Sequence, residues 1–285
     1  MIKKAVIPAA GWGTRFLPIT KSQPKEMIPV VDTPVIQYVV EEAVQSGITD
    51  ILIVVGRGKR AIEEHFDRNP LLEAALEAKL QFAEVEKLRH ISSQARIHFV
   101  WQQEMNGLGD AILCARDHVG QEPFAVLLGD TILDGYGKPV TRQLMDVYER
   151  YQASVVALEE VPSEKVQRYG IIDGLVLEDG VLHARDFVEK PSPDAAPSNL
   201  AIASRYVFTP AIFDYLEKTP KGKNNEVQLT DAMRLMVREQ PMYGRPIDGI
   251  RYDIGNKLDF IKTNVIFGLR HEEIGPKLRE WLKDL

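Results

Sequence analysis

Short apolar runs alternate with helical patterns through the first half of the chain, and this alternation limits the possible folds more than any other feature. The apolar runs have the length of buried strands and lie at residues 4–8, 51–55, 97–101 and 124–128. The helical patterns lie between them, at residues 34–46, 59–91 and 108–119. Repeated β-α units of this kind predict a parallel sheet with right-handed crossovers. We interpret the charged stretch 59–91 as solvated helix without a chemical role.

The pattern changes after about Ala153. Closely spaced β-like segments follow, at residues 154–159, 169–172, 181–189 and 201–208. Asp-Gly pairs at 173–174 and 179–180 are typical of turns between them. Helical patterns return at residues 210–218, 226–240, 256–269 and 275–283. The sequence therefore predicts a three-layer α/β domain whose sheet has a mixed or antiparallel extension, with a smaller, continuous second lobe. One domain would span residues 1–285, with halves at about 1–152 and 153–285.

Charge and composition exclude several kinds of protein. The chain has 35 basic and 41 acidic residues, a net charge of −6, which argues against general binding to nucleic acid or to an anionic membrane. Residues 1–31 nevertheless carry +4, which leaves −10 on the remainder. The basic residues of this segment are Lys3, Lys4, Arg15, Lys21 and Lys25. A concentrated basic patch on an acidic protein favours binding of a small polyanion.

The single cysteine and the apolar runs bear on location. Cys114 is the only cysteine, so the chain has no internal disulfide and no multi-thiolate metal site, which fits a reducing compartment such as the cytoplasm. Apolar runs are of strand length, far below the ~20 residues of a membrane-spanning helix. The apolar start is interrupted by Pro8 and Gly11, so it predicts a first strand rather than a signal peptide.

A glycine-rich loop, residues 9–18, follows the first predicted strand. Backbone N–H groups in such a loop approach phosphates closely. The loop lacks the third glycine of the dinucleotide fingerprint, since Phe16 stands there, and it lacks the Gly-Lys-Ser/Thr of a P-loop. The guanidinium of Arg15 can donate two hydrogen bonds to phosphate oxygens, and Lys25 supplies a single positive charge. Prolines at 18, 24 and 29 disfavour a continuous helix, so the segment predicts a shaped loop with a nucleotide or phosphate site.

Two aspartates stand where β segments end. Asp130 directly follows the predicted strand 124–128, and Asp253 precedes a helical pattern. Ligands of open α/β sheets lie beyond the carboxyl ends of the strands, and Mg²⁺ prefers one or two carboxylates plus phosphate oxygens. Either aspartate is alternatively a local turn residue. The six histidines show no metal-ligand spacing and no serine lies in a Gly-x-Ser-x-Gly elbow, which disfavours zinc and covalent hydrolase chemistry.

Glu189 and Lys190 end another β-like segment before Pro191. Their side chains alternate faces in an extended chain. Only a twist or bulge would bring both into a cleft, where Glu189 would accept sugar hydroxyls and Lys190 would bind a phosphate. The alternative is a surface pair. Gly170 opens a nearby strand and permits close approach of a ligand.

These motifs closely resemble the signature of the nucleoside-triphosphate sugar-1-phosphate nucleotidyltransferases. The loop matches as Ala9-Ala10-Gly11-Trp12-Gly13-Thr14-Arg15-Phe16-Leu17-Pro18 and as Pro24-Lys25-Glu26-Met27-Ile28-Pro29. Further matches are Asn106-Gly107-Leu108-Gly109, Gly129-Asp130, Arg168-Tyr169-Gly170, Glu189-Lys190-Pro191, Glu226-Val227-Gln228-Leu229-Thr230-Asp231 and Tyr252-Asp253-Ile254-Gly255. Glu26 indicates the uridylyl-transferring members, because the related thymidylyltransferases usually have proline there.

The resemblance implies the fold of the nucleotide-diphospho-sugar transferases, a three-layer Rossmann-like mixed sheet with a smaller sugar-binding lobe. Residues 1–152 would then bind the nucleotide, and residues 153–285 would bind the sugar and supply the C-terminal helices. It also implies transfer of uridylyl from UTP to glucose 1-phosphate, with UDP-glucose and pyrophosphate as products and Mg²⁺ as cofactor. Members are homo-oligomers, so a homodimer or homotetramer is expected, and the helices from Asn256 onward are a candidate interface.

The resemblance also assigns roles to residues. Nucleotide binding falls to Ala9, Ala10, Gly11, Gly13, Thr14, Glu26, Gln102 and Gly107, of which Gln102 and Gly107 read the base. The catalytic set is Arg15, Lys25, Asp130 and Lys190. Arg15 and Lys25 hold the triphosphate, and Asp130 and Asp253 hold the metal. Gly170 and Glu189 contact the sugar, and Lys190 contacts its phosphate.

Four positions depart from the family pattern. Thr131 stands where a second aspartate often follows, Asp110 where histidine is frequent, Ser204 where glycine is frequent, and Ile254 where cysteine is common. None removes an implied ligand, and they bear on sugar preference more than on reaction class.

Alternatives remain at this point. Within the class, the donor could be dTTP or another nucleotide and the acceptor another sugar phosphate. Two alternatives lie outside this class. One is a nicotinamide oxidoreductase, although the loop lacks the third glycine of the dinucleotide fingerprint. The other is a regulatory module that binds a UDP-sugar without catalysing a reaction. Loss of Lys25, Asp130 or Lys190 would mark such a module, and all three are present.

Overall fold

The computed structural model describes residues 1–284, except for the side chain of Lys223. The strands are β1 (Lys4–Pro8), β2 (Pro29–Val30), β3 (Thr33–Pro34), β4 (Asp50–Val55), β5 (Arg96–Trp101), β6 (Phe124–Leu127), β7 (Thr131–Gly135), β8 (Ser154–Glu160), β9 (Gly170–Val176), β10 (Leu182–Glu189), β11 (Leu200–Phe208), β12 (Met242–Pro246) and β13 (Gly249–Asp253). The helices are α1 (Val35–Gln45), α2 (Arg60–Phe66), α3 (Pro70–Ala78), α4 (Phe82–Ser93), α5 (Leu108–Leu113), α6 (Arg116–Val119), α7 (Val140–Tyr151), α8 (Ile212–Lys218), α9 (Leu229–Met236), α10 (Lys257–Arg270) and α11 (Gly275–Trp281).

Within residues 1–284, nine strands form one mixed sheet in the order β5-β4-β1-β6-β11-β8-β12-β10-β9, and β13-β7 and β2-β3 form two small sheets. The strands β5, β4, β1 and β6 are parallel, as the β-α repeat predicted. β11 is antiparallel to both of its neighbours β6 and β8, and β10 is antiparallel to β12 and β9. The predicted mixed extension of the sheet is therefore confirmed, and β11, from the second half of the chain, lies directly beside β6.

Helices cover both faces of the sheet and make three layers. In β1, Val6 packs into one apolar cluster with residues of α5, α8 and α9. Ile7 points the other way, into a cluster with residues of α1 and α7. This alternation is the two-residue period of a strand that is buried on both faces. No helix within residues 1–284 has the length and apolar character needed to cross a bilayer.

The four predicted strands of the first half are β1, β4, β5 and β6, each within one residue of the expected bounds. The stretch 59–91 is helical, but it divides into α2, α3 and α4. Asn69 caps α3, with its side chain accepting a hydrogen bond from Leu72 N, and Pro70 opens that helix. Leu80 lies at φ 60°, so the chain turns before α4. Helix 108–119 likewise divides into α5 and α6.

One turn prediction in the second half is wrong. Asp173 and Gly174 lie inside β9, opposite the bulge between Ala184 and Asp186 of β10. A Cβ on Gly174 would lie 2.7 Å from the carbonyl oxygen of His183, so glycine here permits close strand contact rather than a turn. The other pair, Asp179-Gly180, does form the β9–β10 turn, with Gly180 at φ 76°.

A buried ion pair connects three elements of the core. Arg205 of β11 is fully buried and its Nε and Nη2 donate to Glu42 Oε2 at 2.9 and 2.7 Å. Glu42 Oε1 accepts from the backbone N and the hydroxyl of Thr141 at the start of α7. Arg205 Nη2 also donates to the carbonyl of Thr131, at 2.9 Å. Arg205 therefore fixes the backbone immediately after Asp130.

We expect Arg205→Met to lower the free energy of unfolding by about 3–5 kcal/mol, because it leaves the Glu42 carboxylate buried without its cation. The double variant Arg205→Met/Glu42→Gln keeps an acceptor for Thr141 and should regain a large part of that loss. Urea unfolding measures both. Arg60→Met, at an exposed pair, is the control and should change little. An Arg205→Met loss no larger than that of the control would contradict this account.

Candidate active site

The loop after β1 is shaped by short turns rather than by a helix, as its prolines predicted. Single turns of 3₁₀ helix lie at Thr14–Phe16, Ile19–Lys21 and Lys25–Met27. Gly13 has φ 67°, and a Cβ there would lie 3.0 Å from Lys25 Cβ. Glycine is therefore required for the two ends of the loop to lie against each other.

A first cavity of about 470 Å³ lies between this loop and the start of α5. Nine predicted site residues line it, namely Ala10, Gly11, Gly13, Thr14, Lys25, Glu26, Gln102, Gly107 and Asp130. Ala9 is not a lining residue: it is buried behind the wall and its N–H donates to the carbonyl of Val54. The wall also contains residues that sequence reasoning did not assign to the site, namely Pro8, Trp12, Met105, Leu108, Ala111, Leu128 and Glu226.

A second cavity of about 520 Å³ adjoins the first, and Asp130 lines both. Its wall contains the predicted residues Arg15, Lys190 and Asp253. It also contains Thr131, Arg168, Tyr169, Ser204, Arg251, Gly255 and Asn256, which were not predicted as site residues. Two adjoining cavities with a shared carboxylate suit two ligands whose charged ends meet.

Strand register brings the two aspartates to the same cavity. β7 begins directly after Asp130 and pairs antiparallel with β13, in which Asp253 lies opposite Thr131. Asp253 Oδ1 accepts a hydrogen bond from Gly255 N at 2.8 Å, which fixes the carboxylate at the strand end. The two carboxylates thus lie in one wall although 123 positions separate them in the sequence.

Asp130 is held by a cation from the loop. Lys25 Nζ lies 2.6 Å from Asp130 Oδ2. Burial alone would lower the pKa of Lys25, but the charges of Asp130 and Glu26 outweigh it and raise that pKa. Burial alone would raise the pKa of Asp130, but Lys25 and Arg15 outweigh it and lower that pKa. Both groups are therefore charged at neutral pH.

The interpretation of the stretch 59–91 as solvated helix without a chemical role is wrong at Lys59, which is buried beside the loop. This lysine is 5% exposed, and its Nζ donates to Glu26 Oε2 at 2.7 Å and to the carbonyl of Gly11 at 2.8 Å. Burial raises the pKa of Glu26 and lowers that of Lys59. Lys59 follows the carboxyl end of β4, the same sheet edge as the loop, and that position was the available signal.

The strand alternation breaks at Lys190, but only Lys190, and not Glu189, lines the second cavity. Lys190 has φ 46°, a left-handed backbone that breaks the strand alternation. Its Nζ lies 2.8 Å from Glu189 Oε1, and its N–H donates to the carbonyl of Tyr169. Lys190 lines the second cavity, whereas Glu189 stands behind it as its ion-pair partner. A Cβ on Gly170 would lie 2.8 Å from Thr230 Oγ1. Glycine at this position therefore permits close packing of α9 against β9.

Gln102 is 4% exposed and has a fixed amide orientation. Its Nε2 donates to Asp110 Oδ2 at 2.7 Å and to the carbonyl of Gly107 at 3.1 Å, so both amide hydrogens are used. Its Oε1 is left to accept from a donor in the first cavity. Asp110 was noted in the sequence only as a departure from the family pattern, and its contact with Gln102 depends on tertiary structure.

The donor set near Asp130 fits a hard divalent cation. Asp130 and Asp253 supply carboxylate oxygens to one cavity, and Mg²⁺ binds through one or two carboxylates together with phosphate oxygens. Lys25 takes Asp130 Oδ2, and Gly255 N takes Asp253 Oδ1. Asp253 Oδ2 lies 3.4 Å from the hydroxyl of Tyr169 and 3.6 Å from Arg251 Nη1, so a bound cation would share this oxygen with them.

Comparison with known proteins agrees with this arrangement. A model of the nucleotidyl transferase family matches residues 4–267. The UTP–glucose-1-phosphate uridylyltransferase of Bacillus subtilis strain 168 is 50% identical over 284 residues, which cover 100% of this chain and 97% of the relative. That of Staphylococcus epidermidis strain RP62A is 51% identical, with 100% and 98% covered.

Two solved structures are also similar. UDP-glucose pyrophosphorylase complexed with UDP-glucose is 44% identical with a TM-score of 0.87, over 95% of this chain and 100% of that one. The UTP-bound enzyme of Acinetobacter baumannii is 40% identical with a TM-score of 0.93, over 100% of both chains. The fold and the motif resemblance are thereby confirmed, and the chain belongs to the nucleotidyl transferase family.

Proposed function

We propose that the chain transfers the uridylyl group of UTP to α-D-glucose 1-phosphate, giving UDP-glucose and pyrophosphate. The full-length similarity to uridylyltransferases supports the reaction. The observation in the structure that carries it is the position of Asp130, which lines both cavities and is bound by Lys25. A nucleotide in the first cavity and a sugar phosphate in the second would bring their phosphates together at this residue.

The first cavity would hold UTP. Backbone groups of the loop at Ala10, Gly11, Gly13 and Thr14 face it, and such groups bind phosphates and ribose without adding charge. Ala9 would act only by supporting this wall. Lys59 holds the carbonyl of Gly11 and the carboxylate of Glu26, so it is a positioning residue for the loop.

The second cavity would hold glucose 1-phosphate. Lys190 and Arg15 supply positive charge for the phosphate, and the left-handed turn at Lys190 aims its side chain into the cavity. Glu189 orients Lys190 through their ion pair and is proposed to accept a sugar hydroxyl. Gly170 is proposed to lie beside the sugar.

The reaction is an in-line displacement. A phosphate oxygen of glucose 1-phosphate attacks the α-phosphorus of UTP, the bond from that phosphorus to the oxygen of the β-phosphate breaks, and pyrophosphate leaves with the electron pair. Asp130 and Asp253 would hold Mg²⁺, which when bound reduces the repulsion between the two phosphates. Lys25 and Arg15 stabilise the charge that develops on the leaving group. No enzyme nucleophile is needed, because positioning and electrostatics suffice.

A pyrophosphate-release assay tests this proposal. The protein with Mg²⁺ and glucose 1-phosphate is supplied in turn with UTP, ATP, CTP, GTP and dTTP. UTP should give the fastest release, and EDTA should stop it. Faster release with dTTP would favour the thymidylyl alternative, and a faster reaction with galactose 1-phosphate would change the acceptor. No release with any pair would overturn the proposal.

Asp130→Asn should lower kcat at least ~10²–10³-fold, since it removes the charge shared by the two cavities. The fold should persist, because asparagine has the same size and remains within reach of Lys25. Steady-state kinetics with circular dichroism measure this. Asp134→Asn is the matched control, because Asp134 lies four residues later on β7 and pairs with Arg270 at the surface. Near-normal activity of Asp130→Asn would make the metal assignment wrong.

Asp110 is proposed as a positioning residue for base choice. With both Nε2 hydrogens committed, Gln102 Oε1 faces the cavity as an acceptor, which suits the N3–H of uracil and opposes the N3 lone pair of cytosine. Asp110→Ala releases the amide, so kcat/KM for UTP should fall about tenfold and the preference for UTP over CTP should narrow by a similar factor. Asp117→Ala, at an exposed position of α6, is the control. An equal fall for both nucleotides would contradict this role.

We also propose that the chain acts in the cytoplasm as a homodimer or homotetramer, with no nucleic-acid or membrane partner. The apolar face of α10 and α11 supports self-association. Leu258, Ile261 and Val265 are exposed at a spacing of three and four residues, and Trp281 of α11 is also exposed.

Sedimentation velocity measures the assembly. The wild-type chain should sediment as a dimer or tetramer, and Ile261→Asp should shift it toward monomer. Leu71→Asp is the control, because Leu71 is an exposed leucine on α3 rather than on α10 or α11. A monomeric wild type, or an Ile261→Asp variant that assembles like the control, would refute the interface.

A further inference from the structure

Two histidines and an aspartate meet at the sheet edge opposite the cavities. Asp50 begins β4, His98 lies in the edge strand β5, and His118 lies in α6. The cavities lie at the carboxyl ends of the parallel strands, whereas Asp50 lies at the amino end of β4. Five residues of strand, roughly 16 Å, separate it from that carboxyl end. The cluster is therefore distinct from the proposed active site.

The three side chains present ligand atoms to one point. His118 Nε2 lies 2.9 Å and His98 Nε2 lies 3.6 Å from Asp50 Oδ1. One ligand atom from each residue lies within 4.8 Å of the others. A tetrahedral ion with bonds of ~2.0–2.1 Å holds its ligand atoms about 3.3–3.4 Å apart. Two of the separations, 2.9 and 3.6 Å, are close to this value, and the third is at most 4.8 Å.

The backbone that carries the cluster is fixed by independent contacts. Lys4 Nζ donates to the carbonyls of His118 and Val119 at 3.0 and 3.2 Å and pairs with Glu122 at 2.7 Å. In the sheet, His98 lies opposite Leu52, two residues from Asp50 on the same face. The three ligands are therefore set by the sheet and by α6 rather than by a loose loop.

The charge around the cluster leaves room for a cation. Arg96 is exposed and its Nη2 lies 4.0 Å from Asp50 Oδ2, whereas both histidines contact Asp50 Oδ1. The ammonium of Lys4 is already engaged by Glu122 and two carbonyls. His98 is half-exposed, so water has access to a fourth position.

We propose that Asp50, His98 and His118 bind one divalent transition-metal ion, with Zn²⁺ as the ion that this donor set suits best. Imidazole nitrogens favour zinc, nickel and copper, whereas Mg²⁺ prefers oxygen ligands. The cluster and the carboxylates of Asp130 and Asp253 therefore select different metals. A bound ion ties edge strand β5 to β4 and α6. The positions 50, 98 and 118 form no sequence motif, which is why the histidine spacing did not reveal them.

Isothermal titration with ZnCl₂ tests the proposal. The untagged, metal-free chain is titrated near neutral pH in saturating Mg²⁺, so that the active-site carboxylates are occupied. Wild type should bind one Zn²⁺ per chain. His98→Gln and Asp50→Asn should each weaken this binding at least tenfold, and the control His90→Gln, on exposed α4, should not. Zinc at a hundred times its Kd should raise Tm by roughly 5 °C in wild type and not in His98→Gln.

Three results would overturn the proposal. They are no stoichiometric binding by wild type, equal affinity in His98→Gln, and binding that survives His98→Gln but is lost in Asp130→Asn. His98→Gln should retain the circular dichroism spectrum and the pyrophosphate-release activity of wild type, because His98 is half-exposed and remote from both cavities. Loss of zinc binding without loss of structure thus assigns the ion to this cluster.

Discussion

A buried ion pair between Arg205 and Glu42 determines where the two halves of the chain meet. It joins β11, which belongs to the second half of the sequence, to α1 of the first half, and through Thr141 it includes α7. The same guanidinium holds the carbonyl of Thr131. Desolvating two charges is costly, and the cost is offset only because every remaining donor and acceptor is used. As a result, the backbone beside Asp130 is anchored to a buried guanidinium through the carbonyl of Thr131.

The proposed chemistry depends on the position of Asp130. Asp130 lies where the nucleotide and sugar-phosphate cavities join, and Lys25 holds its carboxylate from the loop side. Lys59 and Glu26 form another ion pair behind the loop, and this pair is more deeply buried than the pair of Lys25 and Asp130. The loop is therefore anchored by charge on its inner side while its backbone groups face the cavity. Preorganised charges of this kind stabilise a transition state without rearranging during the reaction.

Local sequence rules predicted the features that depend on neighbouring residues. The first four strands of the sheet, the irregular loop and the position of Asp130 after β6 follow from hydrophobic period, proline and strand-end rules. Asp253 was likewise a candidate from its position at a strand end, and the resemblance to a family added Gln102 and placed these residues in one site. The left-handed backbone at Lys190 breaks the strand alternation between Glu189 and Lys190, and only the structure shows it.

Long-range contacts lay beyond such rules. Lys59 reaches Glu26 across 33 positions, and His98 and His118 meet Asp50 through strand register and the placement of α6. Ser204 lies at φ 61° in the irregular middle of β11, which explains why glycine is common there in the family pattern. These contacts depend on how elements pack. The sequence indicated only that Lys59 follows the carboxyl end of a strand, and it contained no local signal for the partners of these residues.

The central claim is that two phosphates meet at Asp130 between two cavities. A crystal structure with UDP-glucose and Mg²⁺ tests it most directly. The account predicts uracil N3 facing Gln102 Oε1, glucose beside Lys190, and the diphosphate next to Asp130 where the cavities join. A diphosphate bound away from Asp130, or a product lying wholly within one cavity, would contradict it.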